Sequence, residues 1–169
     1  MYYRIQDGVL RKDDMTSSGE ILASIQLPAF YTRKTILNSH RQPQLIANME
    51  SIPDSSSKKC RLLEPDGHPI LTGITQCTDN PSAPSENLQI FCWNLITFQY
   101  QRQQLKLFMA DSQNFFVEDP NGHTILTFTH RGIPGGWLVN AEVCFDPFII
   151  LGLFLFTRYL DKENEFITR

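Results

Sequence analysis

The chain has no long hydrophobic run. Its longest apolar stretch, Phe148–Phe156 (FIILGLFLF), is nine residues, counting Gly152. A membrane-spanning helix needs about 20 apolar residues to cross a core of about 30 Å. A helix here from Pro147 to the charged run Asp161–Glu165 would reach only about 21 Å at about 1.5 Å per residue. The N-terminus, MYYRIQDGVLRK, lacks the apolar stretch of a secretory signal. The four cysteines, Cys60, Cys77, Cys92 and Cys144, form no C-x-x-C pair and no ligand-like cluster. They read as small buried hydrophobes of a reducing compartment rather than as a disulfide or metal framework. Charge of one sign is also missing. Fifteen Lys and Arg against 18 Asp and Glu leave a net −3, which gives no global attraction to nucleic acid or anionic membranes and leaves only local basic patches. No G-x-S-x-G elbow, phosphate-binding P-loop, H-E-x-x-H or dinucleotide fingerprint occurs, so no catalytic residue, cofactor or metal is assigned.

What is present is a single folded unit. The 169 residues suit one domain, 1–169, able to bury roughly 70% of its unfolded surface. A 41% hydrophobic and 20% charged composition belongs to a folded, soluble chain rather than a disordered one. Apolar residues before Asp146 recur mostly with period two. Ile96, Phe98 and Tyr100 alternate with Thr97, Gln99 and Gln101, and Leu105, Leu107 and Met109 alternate with Gln104, Lys106 and Phe108; the alternation also runs from Trp137 to Phe145. Half-buried strands read this way, because successive side chains point to opposite faces.

Turn clusters punctuate these strands at Ser17-Ser18-Gly19, Asn38-Ser39-His40, Pro65-Asp66-Gly67, Asp119–Gly122 and Pro134-Gly135-Gly136. The polar stretches Ser51–Lys59 and Thr78–Asn87 read as surface loops. Gly67-His68-Pro69-Ile70-Leu71-Thr72 and Gly122-His123-Thr124-Ile125-Leu126-Thr127 share G-H-x-I-L-T, an internal echo of strand, tight turn and strand. Repeated hairpins imply an antiparallel meander of about twelve strands.

Asp146-Pro147 in front of the apolar run is a helix start, an N-cap carboxylate followed by proline at the first helical position. The helix is expected over about 147–160. It is apolar all round and has no face to give to water. A sheet of twelve strands loses its edges by closing, and the resulting lumen needs filling. Both requirements are met by an all-β fold with one helix: a closed antiparallel β-barrel of about twelve strands around a central hydrophobic C-terminal α-helix.

The polar residues give few candidates for chemistry. His68 and His123 follow equivalent hairpin glycines and read as repeated surface residues rather than metal ligands. Asp66, Asp119 and Glu118 read as turn-forming groups, since the calcium-loop spacing is absent. Cys144 stands before the helix start, and Trp93 and Trp137 read as packing residues. The basic clusters are Arg33-Lys34, Lys58-Lys59-Cys60-Arg61 and Arg102/Lys106. Lys58, Lys59 and Arg61 follow a serine run and have the clearest mechanism, contact with anionic lipid head groups or phosphates.

The D-x-x-G and D-G turns at Asp66-Gly67 and Asp119–Gly122, the segment Leu27–Lys34 (LPAFYTRK) and the apolar helix at Pro147–Leu160 resemble the tubby C-terminal-like superfamily. That superfamily includes the LURF-one-related proteins and the phospholipid scramblases. The resemblance spans about Tyr2 to Leu160 and is closest to the small single-domain bacterial versions. It implies a non-enzymatic barrel, cytoplasmic and peripheral to membrane, with anionic phospholipid or phosphoinositide head groups as partners. The residues expected to bind lipid are Arg33, Lys34, Lys58, Lys59 and Arg61. No motif matches the basic pocket of animal tubby proteins, and Asp161–Glu165 does not match the calcium segment of scramblases. The alternative expectation is a protein-interaction or structural scaffold with no small-molecule ligand.

Overall fold

The computed structural model describes residues 1–13, 19–26, 33–77, 94–132, 136–143 and 145–165, with the backbone alone for 163–165. Its strands in chain order are β1 (Tyr2–Gln6), β2 (Val9–Lys12), β3 (Ile21–Ile25), β4 (Lys34–Leu37), β5 (Pro43–Ser51) and β6 (Lys58–Leu63). The second half supplies β7 (Pro69–Gln76), β8 (Leu95–Tyr100), β9 (Gln103–Asp111), β10 (Asn114–Glu118), β11 (Thr124–His130) and β12 (Trp137–Ala141). One helix, α1 (Pro147–Glu165), follows. Each strand pairs antiparallel with its sequence neighbours, and β1 pairs with β12, so the twelve strands close into a barrel.

The period-two segments build the wall. In β9, Leu105, Leu107 and Met109 point inward and are buried, while Gln104 and Lys106 are exposed and Phe108 is half-buried on the outside. In β12, Val139 and Ala141 face inward in the same manner. The alternation of β12 stops at Ala141 rather than running to Phe145. Pro147 must begin a helix in the lumen, so the chain bends from wall to axis at Glu142 and Val143. Phe145 is then turned inward and stacks on Tyr100 at 5.8 Å.

The helix starts as its sequence requires. The Asp146 carboxylate accepts the Phe148 N–H at 2.8 Å, and Pro147 occupies a position whose N–H would have no partner. Ile150, Leu151, Leu153, Phe156, Thr157 and Leu160 are fully buried, distributed round the whole circumference. The Thr157 hydroxyl is satisfied by donating to the Phe154 carbonyl at 2.7 Å. Gly152 marks the closest approach to the wall, where an added Cβ would lie 2.5 Å from Leu62 Cδ1. The helix does not stop at Leu160 but continues to Glu165. Charges alone do not end a helix, and Asp161 is held on it by Arg158, one turn back, at 2.7 Å. No helix among the described residues is long and apolar enough to cross a membrane.

The barrel has a lower end, where α1 enters past the β12 terminus, and an upper end, where it leaves. The upper end carries the β5–β6 loop, the β9–β10 turn and the first residue of β12, Trp137. Trp137 packs among Phe115, His130 and Phe154, with the Arg158 guanidinium 5.2 Å from its ring centre. It is a packing residue of the barrel mouth.

Three lower-end hairpins share one turn. In β6–β7, β10–β11 and β4–β5 the first turn residue makes two backbone bonds: the Glu64 carbonyl accepts the Gly67 N–H and the Glu64 N–H donates to the His68 carbonyl, and Asp119 does the same with Gly122 and His123, and Asn38 with Arg41 and Gln42. Asp119 Oδ1 accepts the Asn121 and His123 N–H groups at 2.8 and 2.9 Å, and Asn38 Oδ1 accepts those of His40 and Gln42, both at 2.9 Å. The fourth position is left-handed in all three, with φ of 96° at Gly67, 82° at Gly122 and 61° at Arg41. A register shift accompanies each turn, the bulge such three-residue hairpins require.

Candidate functional site

The basic residues singled out in the sequence lie on neighbouring strands. β5 pairs with β4 on one side and β6 on the other, with Lys34 opposite Ala47, Ser51 opposite Lys58, Glu50 opposite Lys59 and Asn48 opposite Arg61. Strand alternation divides them. Lys34 and Lys58 share the inward register of Ile36 and Cys60 but sit at strand ends, so they belong to the upper rim. Arg33, just before β4, is exposed. Lys59 and Arg61 stand on the outer wall. Ala47 and Ser51 are four residues apart on β5, so the Lys34 and Lys58 positions are separated by about 13 Å along the strand at about 3.3 Å per residue.

Electrostatics separates them further. Arg61 is paired with Glu50, whose Oε1 also accepts from Asn48 Nδ2 at 2.7 Å. Its side chain is 29% exposed, and its Nε is buried without a partner among the described residues. Arg61 therefore lies against the wall and its charge is spent there. Lys58 Nζ donates to Ser51 Oγ at 3.0 Å and makes no ion pair among the described residues. Burial at the rim, and then the Lys162 ammonium near the end of α1, hold Lys34 below its ordinary pKa.

Lys59 has a different setting. Across from it on β7 is Ile74, then Thr97 on β8, then Lys106 on β9, one continuous outer row. Ile74 is 43% exposed and Ile70, two turns of the pleat away on the same face, is 38% exposed. Two cations thus flank a row that includes an exposed aliphatic side chain, and each has a carboxylate in register on its far side, Glu50 beside Lys59 and Glu118 beside Lys106. The sequence reading passes over both isoleucines. Their signal is parity, since in Pro69–Gln76 Leu71 and Gly73 face inward and any apolar residue at 70, 72 or 74 must face water.

The other candidates are resolved as turns or packing. His68 and His123 are exposed and sit 3.7 and 3.8 Å from single carboxylates, Glu64 and Asp119. The Asp119 carboxyl is held below its usual range mainly by the His123 N–H, and then by Asn121. No group of three His, Cys, Asp or Glu able to hold a metal occurs among the described residues. Cys60 is buried, but Cys77, just past the end of β7, is exposed, contrary to its expected place in the core; neither is disulfide-bonded. Cys92, Cys144 and Trp93, with Leu27–Thr32 of the family-like segment, lie outside the described residues.

A groove of about 590 Å³ opens on another sector of the outer wall. Val9, Ser24, Leu37 and Pro43, in register across β2 to β5, form its floor. Arg41 stands at its lower end and Asp7 at its upper end.

Comparison of the chain with models of known families, with curated proteins and with solved structures finds no match.

Proposed function

We propose that this chain is a non-enzymatic, tubby-like barrel that attaches peripherally to anionic membrane surfaces through the outer wall of β6–β9 and the adjoining upper rim. The supporting observation is the outer row Lys59–Ile74–Thr97–Lys106, with Ile70 beside it. Exposed isoleucines enter the head-group layer, while the flanking ammonium groups stay at phosphate level on their long stems. Lys58 adds a further ammonium at the rim, with Lys34 and Arg33 two strands away. Glu50 removes Arg61 from the set, so the contacting cations are Lys58, Lys59 and Lys106 rather than the full sequence cluster. Because α1 fills the lumen, the ligand is met on the outside of the barrel.

The test is flotation with phosphatidylcholine vesicles, and with vesicles containing phosphatidylserine, at low and high salt. Salt-sensitive flotation with the anionic vesicles alone is expected. Lys58→Glu with Lys59→Glu should weaken partitioning by about thirtyfold or more, since each cation near such a surface contributes about 1 kcal/mol. Ile74→Ser should weaken it without changing the salt dependence. Absence of flotation, or equal flotation of wild type and the charge-reversed variant, overturns the proposal and leaves the scaffold reading.

A further inference from the structure

The hairpin that brings Lys58 and Lys59 to the upper rim is led in by serines. Residues 52–57 form the β5–β6 loop, and Ser51, Ser55, Ser56 and Ser57 all lie between Glu50 and Lys58. Their hydroxyls are not equivalent. Ser51 Oγ accepts from Lys58 Nζ at 3.0 Å, and Ser55 Oγ accepts the Ser57 N–H at 3.1 Å. Ser57 is half-buried, beside the point where the Lys58 N–H donates to Thr75 Oγ1 at 2.7 Å. Ser56 is exposed, and its hydroxyl makes no hydrogen bond among the described residues.

The loop is lightly held. Within it, the Ser55 N–H donates to the Ile52 carbonyl at 3.2 Å, and the Ser55–Ser57 bond is the other closing contact. A segment with few bonds and exposed backbone opens locally at little cost. An enzyme cleft can therefore take up the chain around Ser56 while the barrel stays folded.

Charge decides what a modification here does. From Glu50 to Arg61 the hairpin sets three cations, Lys58, Lys59 and Arg61, against two carboxylates, Glu50 and Asp54, a net of +1. A phosphate ester carries about −1.5 to −2 at pH 7, enough to invert that sign. Ser56 and Lys58 are two residues apart, at most about 7 Å along the chain. That is inside the screening length of about 8 Å at physiological ionic strength. The Lys58 ammonium would exchange a neutral hydroxyl for a charged acceptor, the stronger partner.

We propose that Ser56 is a phosphorylation site and that its phosphate releases the barrel from an anionic membrane. The switch rests on the reading of Lys58 and Lys59 as cations that face the bilayer. The phosphoryl donor is a nucleoside triphosphate held by a protein kinase. Ser56 Oγ bonds to the γ-phosphorus as the bond from that phosphorus to the β,γ-bridging oxygen breaks. The nucleoside diphosphate leaves, and the hydroxyl proton passes to the kinase's base. Hydrolysis by a phosphatase restores the serine and the contact.

Mass spectrometry of the chain isolated from its native cells, with phosphatases inhibited, should find one added phosphate on Ser56; a chain unmodified there overturns the proposal. Flotation then compares the full chain carrying phosphoserine at position 56 with the unmodified chain on phosphatidylserine vesicles. The phosphorylated chain should bind about thirtyfold more weakly, the contribution of two cations at such a surface, with the same melting temperature. Phosphoserine at position 39 is the control, exposed in the β4–β5 turn at the lower end. The nine residues of β5 hold that turn about 26 Å from the upper rim, beyond the screening length, so flotation should not change. Equal loss from positions 56 and 39, or no loss from position 56, overturns the switch and leaves the bilayer contact standing. An unmodified chain that fails to float removes the bilayer reading itself, and the switch with it.

Discussion

Replacing Gly152 by alanine sets two opposed effects against each other. In an isolated helix the change gains about 1 kcal/mol, because glycine is the more costly residue to order. Here the new Cβ would stand 2.5 and 2.6 Å from the two δ-carbons of Leu62 and 3.1 Å from its Cγ. Ordinary carbon contacts lie at about 3.5–4.0 Å, so three atoms overlap by roughly half to one ångström. Leu62 is fully buried on β6 and its cross-strand neighbour Leu71 is buried too, which leaves the side chain little room to swing aside. Overpacking of this kind costs about 1–3 kcal/mol. The net expectation for Gly152→Ala is a loss of about 1 kcal/mol, or about 2–4 °C in melting temperature for a domain of this size. Urea unfolding followed by tryptophan fluorescence measures it. Adding Leu62→Ala removes the obstructing atoms, so the double variant should be less destabilised than the sum of the singles, a favourable coupling in the cycle. A variant stabilised by the full helix-propensity gain, with no coupling to position 62, would falsify the placement of α1 against β6.

Leu151→Asp puts a carboxylate on a fully buried helix position; it should cost more than about 4 kcal/mol and abolish cooperative unfolding, and an unchanged melting temperature would rule out the filled lumen. Arg41→Gly should stabilise the chain by about 1 kcal/mol, and Gly122→Ala should cost about the same; nothing lies within 4 Å of the Cβ that Gly122 would gain, so the effect is backbone strain alone, and denaturant midpoints of equal sign for the two would refute the shared turn. Burial, and then the nearby Cys60, raise the Tyr159 pKa above its ordinary 10.0. The phenol stays protonated in the folded state where the unfolded chain has lost its proton, so stability should be flat below about pH 10 and fall as pH rises above it. Tyr159→Phe should flatten that alkaline limb, and an identical limb in the variant would assign it to another group.

Legibility in the sequence follows the range of the interactions. The helix announces itself through nine contiguous apolar residues behind Asp146-Pro147, and its N-cap is local. Local pattern ends it near Leu160, five positions short of Glu165, because the Arg158–Asp161 pair can be recognised only once the segment is known to be helical. The β6–β7 and β10–β11 turns are readable from proline, aspartate or asparagine, and glycine in fixed order. The β4–β5 turn has the same geometry but carries arginine at the left-handed position, so no propensity rule marks it. The basic cluster looked uniform along β6, yet its charges divide. Glu50 reaches Arg61 only through the β5–β6 register, a pairing across more than ten residues of chain that no local pattern encodes. Ile74 was hidden for the same reason, since its neighbours Lys59 and Thr97 come from other strands.

A filled lumen leaves the outside of the wall to meet a bilayer, and the ring order fixes how much of it can do so. The row Lys59–Ile74–Thr97–Lys106 crosses β6 to β9, four of the twelve strands and about a third of the circumference. A barrel lying on a bilayer by that sector holds the strands across the ring in water. Lys106→Glu should therefore weaken flotation with phosphatidylserine vesicles as Lys59→Glu does, by about fivefold or more each, although the two lysines stand on strands that are not neighbours in the ring. Equal flotation of Lys106→Glu and wild type would confine the contact to β6 and the upper rim, and the row as a whole would then not be the bilayer surface.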